Sequence, residues 1–200
     1  MSIYCYIKNI VVLLTLLNHC ISASPLLSQS TLRLNELMAR NNSTIADEQN
    51  EYNDWIEVYN DGETPVDLAG FFITDDAAIP DKWRIPPGNA DQTTVPANGF
   101  ALLWADGSPD EGPLHLSFKL DGDGEEIALY SPDGALVDFI TFEEQRPDTS
   151  YGRNTETLQW QFYPVPTPGA ENIEKFIIDP LHFSHDGGVY ERDITVELTG

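Results

Sequence analysis

From Leu32 to Phe142 the chain is written in short apolar runs, each cut off by Gly, Pro, Asn or Asp. That rhythm limits the fold more than any other feature. An amphipathic helix needs a period of 3.6 held over roughly ten residues or more, whereas a strand needs only four to eight residues and a turn. No stretch sustains a helical or heptad period, so the sequence supports neither a helix bundle nor a coiled coil. Runs suited to strands lie at Arg33–Met38, Trp55–Tyr59, Phe71–Thr74, Lys82–Ile85, Phe100–Trp104, Leu116–Leu120, Glu126–Tyr130 and Leu136–Phe142. Evenly spaced short strands predict an all-β sandwich or barrel. The sharpest local signal is "SPDG" (Ser131 to Gly134), which sets Pro and Gly where a tight hairpin turn needs them.

Within these strands the side chains alternate. In "DWIEVYN" Ile56 and Val58 point one way and Trp55, Glu57 and Tyr59 the other; in "GFFITDD" Phe71 and Ile73 oppose Phe72 and Thr74. Acids gather where strands end, at Asp54, Asp61, Asp75, Asp76, Asp106 and Asp121. Aspartate suits those places because its side chain bonds to nearby turn backbone. The expectation is an aromatic and aliphatic core with the carboxylates outside as turn makers and solvated edges.

The ends of the chain differ from its middle. Lys8, the apolar run Ile10 to Leu17 and the small residues of "NHCISAS" read as a signal peptide over 1–23, cleaved after Ala23 with Ile21 three positions before the cut. The run is far short of the roughly 20 residues that span a bilayer, so no membrane insertion is expected after cleavage. A lipid-modified Cys20 is disfavoured by His19 beside it. Both cysteines, Cys5 and Cys20, fall in this segment, so the mature chain has no disulfide and no thiolate ligand. A polar lead-in follows at 24–31, then a domain at 32–172 that exits through "YPVPTPGAEN" (Tyr163 to Asn172). From 173 to 200 a new β pattern begins, with Phe176–Ile178 and then Ile194, Val196 and Leu198 alternating to the end. Two strands cannot close a sheet, so this segment is expected to be the truncated start of a second β domain, or else to pair with another element.

Ten basic residues against 33 acidic ones give a formal charge of −23. Such a surface repels phosphates, so nucleic acid is not an expected partner. An unknown protein or glycan is expected instead, and the acidity itself serves solubility. "NNST" (Asn41 to Thr44) holds two overlapping glycosylation sequons.

The segments "LRLNELMARNNSTIADEQNEYNDWIEVYN", "VDLAGFFITDD", "KWRIP", "GFALLWADG", "LHLSFKLDGDGEEIALYSPDGALVDFITF", "SYGR" and "PTPGAEN" resemble, in this order, a lamin tail domain of the secreted bacterial kind. The resemblance spans Leu32 to Asn172. It implies an immunoglobulin-like antiparallel β-sandwich and a non-catalytic accessory module, and it offers no catalytic residue. The segment from Phe176 is similar to the opening of chitobiase-like, fibronectin-associated β modules, which follow lamin tail domains in large exported proteins, some with a CotH-kinase-like domain. A nuclear role does not carry over, since there is no coiled-coil rod and no basic localisation run.

Catalytic and cofactor motifs are missing. There is no HExxH, GxSxG, phosphate-cradling loop or complete GxGxxG. "DGDGEE" (Asp121 to Glu126) has hard oxygen ligands at alternate positions, as a calcium loop does, but lacks the later ligands of an EF-hand and reads as a hairpin start. Thr74–Asp76 is a loop that would have to join it. His182 and His185, with Asp186, are three residues apart on a strand pattern, which sets them on opposite faces. His115 stands alone. Arg153 is expected to pair with an acid at the sandwich rim. Trp83, Trp104 and Trp160 are candidates for stacking on sugars, with core or rim packing as the default. No catalytic, cofactor-binding or metal residue is therefore assigned and no enzyme activity is expected. The expected role is an exported interaction or spacer module at the N-terminus of a modular surface protein. Its alternatives are the targeting module of a larger secreted enzyme and a calcium-stabilised adhesin.

Overall fold

The first strand, β1 (Leu32–Met38), sends Leu32, Leu34 and Leu37 into one core, which strict alternation forbids. A bulge between Leu34 and Glu36 resolves this: the extra residue, Asn35, shifts the register so that Leu37 returns to the core face. Glu36 and Met38 are thereby turned to the opposite face.

The computed structural model describes residues 30–173 and the short pair 182–183 with 198–199. After β1 come β2 (Trp55–Asn60), β3 (Val66–Asp67), β4 (Phe72–Thr74), β5 (Trp83–Arg84), the single helical turn α1 (Ala90–Thr93), β6 (Thr94–Val95) and β7 (Gly99–Trp104). Then follow β8 (Gly124–Tyr130), β9 (Leu136–Glu143), β10 (Ser150–Arg153) and β11 (Trp160–Tyr163). One sheet has the order β11-β10-β1-β2-β7 and the other β5-β4-β8-β9, while β3 and β6 form a small separate pair. All these strand pairs are antiparallel. The protein is an all-β antiparallel sandwich, as expected. Its main core joins Leu34, Ile56, Val58 and Leu103 of the first sheet to Ile73, Ile127, Leu129 and Phe142 of the second. Each such fully buried side chain contributes about 1.5–3 kcal/mol. Beyond these sheets, β12 (His182–Phe183) pairs with β13 (Leu198–Thr199). The signal-peptide reading, Phe176–Ile178 and His185 lie outside the described residues. Among those described, no helix is long and apolar enough to cross a membrane.

The "SPDG" hairpin forms between β8 and β9, with Gly134 at φ 83° and its N–H donating to Ser131 O at 2.9 Å. At the other end of β8, Gly124 has φ 122°, and a Cβ there would stand 3.0 Å from Phe142 O. Gly124→Ala is therefore expected to destabilise the domain by about 1–3 kcal/mol, read as a lower urea midpoint with unchanged slope.

Three expectations are corrected. Leu116–Leu120 is not a ladder strand: the segment touches the β7 exit only through isolated bridges at His115 and Lys119, although Leu116, Phe118 and Leu120 do alternate into the core. Second, β2 is not half wet. Ile56 and Val58 enter the main core as alternation predicts, but Trp55 and Glu57 on its other face are 0% exposed. Trp55 packs there with Met38 and Trp104 in a second small core, roofed by Ile45. Third, the acids are not all outside, since Glu36, Glu57, Asp106 and Asp47 are buried. Turn chemistry explains Asp47, whose Oδ1 accepts the N–H groups of Gln49 and Glu51. The other three belong to the centres described next.

Candidate functional site

Past Trp104 the chain leaves β7 and folds back on itself. The Trp104 N–H donates to Leu114 O at 2.8 Å, and the Leu116 N–H donates to Trp104 O at 2.7 Å. Because Leu116 faces the core, its neighbour His115 must face away from it, over the second small core. His115 is 4% exposed. Gly112 lets it lie close, since a Cβ there would stand 3.0 Å from His115 Cδ2.

Three carboxylates converge on this ring. His115 Nδ1 is 2.5 Å from Asp106 Oδ2 and 3.7 Å from Glu111 Oε2, and Nε2 is 3.4 Å from Glu48 Oε2. Asp106 is itself fixed, its Oδ1 accepting the Ser108 N–H at 2.8 Å. Burial pulls the His115 pKa down, but the hydrogen bond and charge of Asp106, with Glu48, outweigh it and hold the ring above its ordinary value. A cleft of about 330 Å³ opens beside the ring, lined among others by Glu48, Gln92, Trp104, Glu111 and His115. An Asp–His pair supplies two of the three members of a hydrolytic triad, but the place before Nε2 where a nucleophile would stand is taken by Glu48. Asp106, Glu111 and His115 offer one donor atom each, all within 4.8 Å of one another.

The second centre is closed. Glu36 and Glu57 are register partners across β1 and β2 and are fully buried. The strap that follows β11 lies over them. Glu36 Oε1 accepts from Ser150 Oγ at 2.5 Å and from the Thr167 N–H at 3.1 Å. Glu57 accepts from Asn35 Nδ2 at 2.8 Å and from the Gly169 N–H at 2.5 Å. Burial pushes the Glu57 carboxyl up to about 8; the Gly169 amide and Asn35 oppose this and the Glu36 charge adds to it. Asn172, 1% exposed, pins the strap, donating to Asn35 O and Arg153 O and accepting from Thr167 Oγ1. "PTPGAEN" is thus a cover for two buried carboxylates, with Gly169 at φ 78°.

The acidic turn at Asp121–Glu126 does meet the Thr74–Asp76 loop, the Ala77 N–H donating to Glu126 Oε1 at 2.7 Å. Its carboxylates are nevertheless committed locally. Asp121 accepts the Asp123 N–H, Glu125 accepts the Asp121 N–H, Asp123 pairs with Arg40, and Lys82 pairs with Asp75. Burial, reinforced by Asp75 and Asp121, pushes Glu125 up to about 7. Arg153 pairs with Asp138 at 2.7 Å, and its Nε donates to Leu34 O, tying β10 to both β1 and β9. Trp104 is buried; Trp83 and Trp160 are half-buried against the main core. Asn41 is buried with both side-chain amide hydrogens donated to Ile45 O and Asn53 O, so the accessible sequon asparagine is Asn42.

Sequence reasoning missed the His115 centre and the strap's targets. Asp106 reads locally as a turn residue and Glu48 as a solvated loop acid; only the fold-back brings them to one ring.

No curated protein matches the chain. The family model described as Lamin Tail Domain matches residues 27–144.

Proposed function

Because the chain belongs to the lamin tail domain family, an immunoglobulin-like β-sandwich module, we propose that it is a non-catalytic interaction or spacer module of an exported, multidomain protein. One observation carries the non-catalytic reading: the sandwich uses its most deeply buried carboxylates, Glu36 and Glu57, to hold its own strap. Both are fully buried and face strap amides and side chains. A glycosidase, by contrast, holds two carboxyl groups across an open cleft. The signal-like segment over 1–23 supports export, and the net charge of −23 supports neutral or basic partners over nucleic acid.

Two measurements test this. Expressed in a secreting host, the chain is expected outside the cell with Ser24 as its new N-terminus; retention inside with residues 1–23 attached would overturn export. Incubated with chromogenic glycosides and phosphoesters, the purified chain is expected to give no turnover. Turnover that disappears on substituting one Asp or Glu would overturn the non-catalytic reading.

A further inference from the structure

We propose that Asp106, Glu111 and His115 bind a divalent transition-metal ion of the zinc class, with Glu48 orienting the imidazole. The inference rests on the geometry of the donors. Asp106 and His115 are both buried, Glu111 approaches the same ring nitrogen from the exposed side, and their three donor atoms lie within 4.8 Å of one another. The carboxylates in excess of the buried pair, Glu111 and the exposed Glu48, add negative charge that attracts a cation to this place.

The distances suit a small ion. Ligand atoms around a tetrahedral zinc with bonds of about 2.0–2.1 Å stand about 3.3 Å apart. The separations from Nδ1, 2.5 Å to Asp106 and 3.7 Å to Glu111, lie on either side of that value. Seating the ion requires Asp106 Oδ2 to draw back by about 0.8 Å and Glu111 to close slightly. The Nδ1 proton leaves to solvent and the nitrogen lone pair passes to the metal. Nε2–H then donates to Glu48 Oε2, now 3.4 Å away, in the carboxylate–histidine–metal arrangement that fixes the tautomer. Asp106 keeps its Ser108 amide bond through the other oxygen.

The cleft beside the ring is lined by two of the three donor residues, Glu111 and His115. It gives the ion a way in and leaves a coordination position open to water or to a donor from a partner. One nitrogen and two carboxylate oxygens select against calcium, which takes six to eight oxygens, and toward zinc, manganese or cobalt.

The test is calorimetric titration of the chelator-treated full chain with zinc chloride. One equivalent is expected to bind with micromolar affinity or better, with proton release, and calcium chloride is expected to give no heat. Glu111→Gln exchanges one oxygen for nitrogen on the solvent side and leaves the core intact, so it keeps the test sound even where His115→Gln fails to fold. It is expected to weaken zinc at least tenfold, and Glu48→Gln about tenfold. The double variant His182→Ala/His185→Ala removes the other two histidines of the mature chain and is expected to titrate unchanged. Cobalt is expected to give a visible absorption band that Glu111→Gln removes. The absence of a one-equivalent site, binding indifferent to Glu111→Gln, or binding lost with His182 and His185 would each overturn the proposal.

Discussion

Glu57→Gln is expected to cross the parent protein in stability as pH rises, being weaker in acid and stronger in alkali. The Glu57 carboxyl has its pKa pushed from 4.5 up to about 8 by burial, and Glu36 adds to the shift. Between those values the folded chain holds a proton that the unfolded chain has released. Its contribution to stability is therefore fully present below about pH 4.5 and is lost as pH rises through 8. At about 1.4 kcal/mol per unit, the fall amounts to about 3–5 kcal/mol by pH 9. Glutamine cannot ionise, so this part of the pH dependence disappears. It keeps one acceptor oxygen for Asn35 or Gly169 and loses the other, at a cost of about 1 kcal/mol in acid. Urea unfolding of both proteins from pH 5 to about 9 checks this. Glu125 and Asp54, raised to about 7 and about 6 chiefly by burial, add a dependence of the same sign to both curves. The difference between the curves isolates Glu57, and parallel curves would refute the buried-proton account.

The second large effect is expected at Asn172. Its amide donates to a buried carbonyl, Asn35 O at 2.9 Å, and to a part-buried one, Arg153 O at 3.0 Å, and accepts from Thr167 at 2.9 Å. Asn172→Ala removes all three bonds, for a loss of about 3 kcal/mol. The damage should concentrate in the strap, because Thr167 and Gly169 then hold Glu36 and Glu57 without an anchor beyond them. Gly152→Ala should produce the same phenotype by another route, since its Cβ would stand 2.7 Å from Asn172 Nδ2, which is fixed at both hydrogens and cannot yield. Limited proteolysis at Glu171 reads strap release directly. Both variants are expected to be cut at urea concentrations where the parent is protected. Equal protection would show that the strap is held elsewhere.

These two centres also mark how far the sequence can be read. The strands around Trp55, Phe100 and Glu126 were legible because side-chain alternation is a local property, and the "SPDG" turn because Pro and Gly act on their own backbone. The short strands β3, β6, β10 and β11 were not read as strands. β3 and β6 are two residues each, and β10, "SYGR", has too little apolar content to stand out. Leu116–Leu120 carried the strand pattern without a neighbouring strand to complete a ladder. The side that each residue faces was readable there; its hydrogen bonding was not.

What the sequence determined by itself was the all-β class, the division of Ile56 and Val58 from Trp55 and Glu57, and the role of Asp76, Asp106 and Asp121 as turn makers. These follow from periods of two and from side chains bonding within a few residues. Only the tertiary structure decided which acids are buried. Glu36 and Glu57 are dry because the strap from far along the chain covers that face, and His115 meets Asp106, Glu111 and Glu48 because the loop after β7 folds back. Burial of a charge depends on what lies above it, and no local pattern of residues carries that information.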